Sequence, residues 1–242
     1  TSQTTSLIGF DAQTGVRIGV DSGSWIQSVA NWVHYPFQRA PSFFDEVCYT
    51  GTGSATTFSH NLGVAPEMMI VKRRDSTGSW ITYWQSLGAT KYQAISSAAA
   101  GTLSTVWNNT SPTSSVFTVG TDASLNASGG TYVNYLFATC AGVSKVFSFT
   151  GNGTTQTINC GFTGGARFVL LKASSATGGW YVYDTARGMT VLTDPYLQLN
   201  STAAESATLG SVTTVTTGFS VNESILAGVN TNGVSYIGLA IA

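Results

Sequence analysis

The chain has 242 residues and a net charge of -1, and only 9% of its residues are charged, where about 25% is usual for a soluble domain. Its 43% hydrophobic and 12% aromatic content argues against disorder, and no run of about 20 apolar residues offers a membrane-spanning helix. No basic cluster stands beyond Lys72-Arg73-Arg74, so nucleic acid is not an expected partner.

In chain order, residues 1–44 come first and contain Trp25, Trp32, Tyr35, Phe37, Phe43 and Phe44. From Tyr49-Thr50-Gly51-Thr52-Gly53 onward the sequence repeats itself with a shift of 100, the second copy opening at Phe149-Thr150-Gly151-Asn152-Gly153. Lys72 then falls on Lys172, Thr77-Gly78 on Thr177-Gly178, Trp80 on Trp180, Tyr83 on Tyr183 and Gly88 on Gly188. Self-similarity at a fixed spacing is the mark of duplicated structural units. Glu67–Lys72 and Arg167–Lys172 read as short apolar strands, and Trp80–Trp84 and Trp180–Asp184 as aromatic, β-branched ones. Asp75-Ser76-Thr77-Gly78 and Ser175-Ala176-Thr177-Gly178 between them are turn chemistry, so each pair is a predicted hairpin. Ala94–Ala100 could form one short helical turn. Phe117–Val119 and Tyr132–Tyr135 supply further strands. Val116–Val119 and Tyr132–Ala138 are matched after small insertions by Gly218–Val221 and Tyr236–Ala242.

Many short strands with Gly/Ser/Thr turns predict an all-β protein: two tandem sandwich or jelly-roll-like repeats of about 100 residues, spanning 45–142 and 143–242. Trp32–Phe37 echoes Tyr132–Phe137, so 1–44 reads as an N-terminal arm or the remnant of a preceding repeat. The chain opens on Thr1 without a methionine, as a piece of something longer would. It ends where the second repeat ends, as a natural C-terminus would. The aromatics of the arm need burial against a neighbour, which makes Trp25, Trp32, Tyr35, Phe37, Phe43 and Phe44 candidate assembly contacts.

The search for chemistry finds little. His34 and His60 are the only histidines and neither has a second metal ligand at a useful spacing. No Gly-x-Ser-x-Gly and no cysteine–histidine signature is present. Asp184 and Glu205 have no context that marks a glycosidase pair. No catalytic residue, metal site or cofactor is therefore expected. Cys48, Cys140 and Cys160 are too few for a disulfide framework, although a Cys140–Cys160 bridge is conceivable. Trp80 and Trp180 repeat, and with Tyr83 and Tyr183 they are expected in the core or at a repeat interface. Trp84 and Trp107 do not repeat. With Asn108 and Asn109 they are candidates for an exposed surface that contacts a receptor or a glycan.

The segments Pro36-Phe37-Gln38-Arg39-Ala40-Pro41-Ser42-Phe43-Phe44-Asp45, Ser59-His60-Asn61-Leu62-Gly63-Val64-Ala65-Pro66-Glu67 and Val71-Lys72-Arg73-Arg74 carry a resemblance. So do Trp180–Gly188 and Tyr196-Leu197-Gln198-Leu199-Asn200 in the second copy. Over roughly 35–242 the chain resembles a repeated β-rich domain of large virion proteins of tailed bacteriophages. The resemblance implies a place on the phage particle, assembled in the host cytoplasm, as a tail fibre or fibre-like component that attaches to the host surface. It implies a homo-oligomer, with a trimer favoured, together with other virion proteins and a host glycan as partners. A purely structural role, as a head decoration, collar or adaptor protein, is the alternative.

Overall fold

A computed structural model of the chain describes residues 8–9, 17–18, 33–99, 102–208, 210–222 and 228–242. The chain divides into two compact units, 1–37 and 38–242. In the first unit β1 (Ile8–Gly9) pairs antiparallel with β2 (Arg17–Ile18). Trp25 and Trp32 lie outside the described residues. Tyr35 is half-buried and Phe37 is exposed.

In the second unit every strand pairing is antiparallel, and the helices among the described residues are the single turns Gln85–Leu87 and Ala123–Asn126. Its first half contains β3 (Phe44–Thr50), β4 (Thr56–Ser59), β5 (Met68–Arg73), β6 (Ile81–Trp84), β7 (Lys91–Ala94), β8 (Thr102–Leu103), β9 (Val116–Val119) and β10 (Thr131–Phe137). Six of these form a sheet in the order β3-β10-β5-β6-β7-β8, and β4 pairs with β9. The second half contains β11 (Ser144–Thr150), β12 (Gln156–Asn159), β13 (Phe168–Ala173), β14 (Trp180–Asp184), β15 (Asp194–Gln198), β16 (Ser206–Thr208), β17 (Val212–Val215), β18 (Gly218–Val221) and β19 (Ser235–Ile241). Its large sheet runs β11-β19-β13-β14-β15-β16, which is the same order, and its small sheet β12-β18-β17 has one added strand.

In each half one face of the large sheet packs on the small sheet. Tyr49, Met69, Val71, Tyr83, Tyr132 and Leu136 meet Phe117 and Val119 of β9 in the first core. Phe147, Val169, Leu171, Tyr183, Tyr236 and Ala240 meet Val212, Phe219 and Val221 in the second. Strand side chains alternate between faces, yet β6 and β14 are buried at every position. Their other faces must therefore be covered too, and they are: the two halves meet across them, with Trp84 and Trp180 in contact at 6.3 Å. This explains why Phe168-Val169-Leu170-Leu171 and Trp180-Tyr181-Val182-Tyr183 are unbroken apolar runs rather than alternating ones.

The turn after β3 is built alike in both halves. Gly51 and Gly151 sit so close to the carbonyls of Ala127 and Thr231 that any Cβ there would overlap them, and Gly53 and Gly153 adopt φ of 75° and 72°, a region that costs glycine little. Replacing Gly51 or Gly151 by alanine is expected to cost about 1–3 kcal/mol, the range for forced overpacking, read as a lowered midpoint of urea unfolding. An unchanged midpoint would contradict this close approach.

Several expectations change. Trp80 is 39% exposed while Trp180 is fully buried, although the two share a register; half-to-half contact covers only the second. Phe44, expected as an assembly contact of the arm, is buried on β3 opposite Phe137, with ring centroids 4.9 Å apart. Residues 38–44 thus lie in the second compact unit, whose start precedes the expected boundary at 44. Phe43 is half-buried beside it. Ala94 closes β7, and residues 95–99 form a turn followed by irregular chain instead of helix. The three cysteines are free thiols, so Cys140 and Cys160 are not bridged.

Candidate docking and binding surfaces

The junction between the halves is held by backbone carbonyls of one loop. The Trp180 indole N–H donates to Ser97 O at 3.0 Å. The Gly178 amide and the Lys172 ammonium both donate to Ala98 O, at 2.9 and 3.1 Å. Lys172 also donates to Ala173 O at 2.6 Å and lies 6.0 Å from the Trp180 ring centroid, within reach of a cation–π attraction. Gln93 Nε2 donates to Ala173 O at 3.4 Å.

Lys172 is fully buried among these groups, and burial pulls its pKa from 10.5 down to about 8. The folded state therefore disfavours the charged form. That penalty is present below about pH 8 and fades as pH rises toward the ordinary lysine value. Stability of the native chain relative to a Lys172→Met variant is expected to rise between pH 8 and 10, measured by urea unfolding. A pH-independent difference would contradict a buried, solvent-deprived Lys172.

The exposed aromatic surface lies on the first half. Trp80 stacks on Tyr135, with centroids 6.3 Å apart and planes 14° apart, and Tyr135 stacks on Phe44 at 6.3 Å and 16°. Lys72 and Arg74 border this row; Lys72 is half-buried and Arg74 exposed. Burial raises the Tyr135 hydroxyl pKa, helped by the charge of Glu46.

A second surface is a cleft of about 370 Å³ between the halves. Ser86 and Leu87 of the first half face Ser148, Thr150, Ser174 and Ser235 of the second. Its floor is the backbone of β11 and β19 with Ile237; the rings of Phe149 and Tyr236, stacked with centroids 5.0 Å apart, lie on the opposite, core face of the sheet. The lining holds hydroxyls and the apolar side chains of Leu87 and Ile237, and no charge.

The residues expected to touch a receptor are placed differently. Trp84 is buried, its indole donating to Thr82 Oγ1 at 2.9 Å and its ring against Trp180. Trp107 is fully buried, edge-on to Tyr83 at 5.7 Å. Neither offers a surface. Only Asn108 and Asn109 of that group are exposed; they take φ of 51° and 50°, a turn conformation that asparagine tolerates, and so let Trp107 reach the core.

The family described as Domain of unknown function (DUF7483) matches residues 38–242. The chain belongs to this family. The DUF7483 match and the larger compact unit begin at the same residue, Gln38, so both halves and both surfaces lie inside it. No curated protein and no solved structure matches the chain.

Five ionisable groups in the DUF7483 domain, Asp184, Arg187, Glu205, Asp194 and His60, are engaged in structural bonds. Asp184 accepts from Arg187 Nε at 2.6 Å and from the Arg187 amide at 3.0 Å, and Glu205 accepts from Arg187 Nη1 at 2.8 Å. Asp194 is buried and accepts from the amides of Gly210 and Val212 and from the Ser211 hydroxyl. His60 is buried between Thr113 O and the Leu62 amide, and burial lowers its pKa. Among the described residues no group of His, Cys, Asp and Glu could hold a metal ion, and no helix is long and apolar enough to cross a membrane.

Sequence reasoning missed Asn126 and Asn230. Asn126 receives the Thr52 amide and donates to Ser54 O and Gly120 O, each at 2.7 Å. Asn230 receives the Asn152 amide at 3.1 Å and donates to Asn152 Oδ1 at 3.0 Å and to Thr154 O. Carrying the Tyr132/Tyr236 match back by six residues would have aligned them.

Proposed function

We propose that the chain is a structural protein of a tailed-bacteriophage particle, a fibre-like component that contacts the host surface without catalysis. The resemblance over 35–242 supports the setting, and the stack of two similarly ordered halves suits a rod-like part. The observation that carries the adhesive role is the uncharged cleft between Ser86 and Ser148. Its hydroxyls can exchange hydrogen bonds with sugar hydroxyls, and the half-buried Leu87 side chain can rest on an apolar sugar face. A neutral glycan is the ligand of matching chemistry, and weak single sites would add up over the copies in an oligomer. The non-catalytic reading is supported by the Arg187 bonds that tie down Asp184 and Glu205.

The test is a panel of neutral host-surface oligosaccharides titrated into the full chain. Binding is expected, and Ser148→Trp, which fills the cleft at an exposed strand position, should abolish it while leaving the unfolding midpoint in place. Binding that survives Ser148→Trp, or cleavage of the sugar, would contradict the proposal. The purely structural alternative of a decoration, collar or adaptor protein is favoured by the Trp80 face, whose make-up is that of a protein contact. A chain that assembles but binds no glycan would fit it.

A further inference from the structure

The filled acceptor on the second half has an unfilled counterpart on the first. Trp180, Lys172 and Gly178 are occupied by Ser97 O and Ala98 O. Trp80, Lys72 and Gly78 hold the same positions one half earlier, with Val71 opposite Ile81 as Leu171 is opposite Tyr181. Lys72 donates to Arg73 O at 2.9 Å just as Lys172 donates to Ala173 O. Yet Trp80 and Gly78 are exposed.

The loop that fills the acceptor also has a counterpart, on the second half. Ile95 N donates to Trp80 O and Leu199 N to Trp180 O, both at 2.9 Å. Ser97 N donates to Ala94 O at 3.0 Å and Ser201 N to Gln198 O at 3.2 Å. Ala99 N donates to Ser97 Oγ at 3.1 Å and Ala203 N to Ser201 Oγ at 3.0 Å. Residues 95–99 and 199–203 therefore make the same turn, held by the same three bonds. The second copy of it is exposed from Ser201 onward, and Leu199 is 46% exposed.

We propose that the Trp80 face of one copy takes the 199–203 loop of a second copy of this chain, head to tail. Ser201 O and Thr202 O would receive the Trp80 indole N–H, the Gly78 amide and the Lys72 ammonium, as Ser97 O and Ala98 O receive those of the second half. Two further residues suit an encounter between copies. Arg74 stands on the acceptor rim where the filled site has Ser174, and the exposed Glu205 stands two residues past the donor loop. Donor and acceptor are different surfaces, so the contact does not close on itself as a twofold dimer would. It extends into a filament or closes as a ring. The contact does not depend on which particle the chain belongs to.

Sedimentation velocity of the full chain over a concentration series tests this. Species larger than a dimer are expected to grow with concentration. Trp80→Glu, at an exposed ring, should weaken association roughly thirtyfold or more, as loss of a central tryptophan does. Thr202→Arg, which sets a cation against Lys72 and Arg74, should do the same, and neither should shift the unfolding midpoint. Mixed together, the two variants retain one intact donor and one intact acceptor, so dimers should return and longer species should not. In a Cys48→Ser background, Gly78→Cys with Thr202→Cys should oxidise to a ladder of linked chains, and neither substitution alone should. A native chain that stays monomeric, association that survives Trp80→Glu, a mixture that forms no dimer, or a double-cysteine variant that links only within its own chain would each overturn the proposal.

Discussion

Replacing Trp180 by alanine is expected to cost about 3–5 kcal/mol of stability, the range for truncating a large core aromatic. The ring is fully buried and packs on Trp84. Its loss opens a cavity at the junction, frees Ser97 O from its donor and removes the face on which the Lys172 ammonium rests. The same truncation at Trp80 should cost under about 1 kcal/mol in the monomer, since surface changes are usually small. Urea unfolding at low protein concentration reads both. Equal costs at the two sites would mean that the halves do not meet at Trp180.

The second large effect is expected at the paired asparagines. Asn126→Ala removes one acceptor and two donors from a buried position, stranding the Thr52 amide and the carbonyls of Ser54 and Gly120. Leaving buried polar groups unpaired costs about 1–3 kcal/mol each where water cannot replace the bond, and a partly opened turn would hold the total near 2–4 kcal/mol. Asn230→Ala should behave alike, because it joins the same two loops of its own half. Asn126→Asp keeps the acceptor and loses the donors, so it should recover only part of the loss. Full stability in Asn126→Ala would show that the loop pair closes without the amide.

Much of the fold was legible in local pattern. The hairpins of β5 with β6 and β13 with β14 follow from aromatic and β-branched runs separated by turn residues. The turn glycines gave themselves away by repeating at 51, 53, 151 and 153. What was not legible is where the two halves touch, because a contact between modules leaves no period in the sequence. Trp80 and Trp180 are identical in register and opposite in exposure for that reason alone. Trp84 was misread in the complementary way. It has no repeat partner, Asp184 standing in its place, and an unrepeated tryptophan looks functional. It is unrepeated because Trp84 fills the junction between the two halves, where it meets Trp180. Trp107 is unrepeated because it packs on Tyr83 from a loop, whereas the matching Tyr183 is met by Ser211 just before the added strand β17.

In the proposed assembly one acceptor is filled inside the chain and its twin is open for another copy. The exchange rates of the two indole N–H protons, followed by NMR on the full chain at rising concentration, test it most directly. Trp180 should be protected at every concentration by its bond to Ser97 O. Trp80 should exchange fast in dilute solution and become protected as copies associate. Equal protection of the two protons at all concentrations, or a fast-exchanging Trp180, would contradict the account.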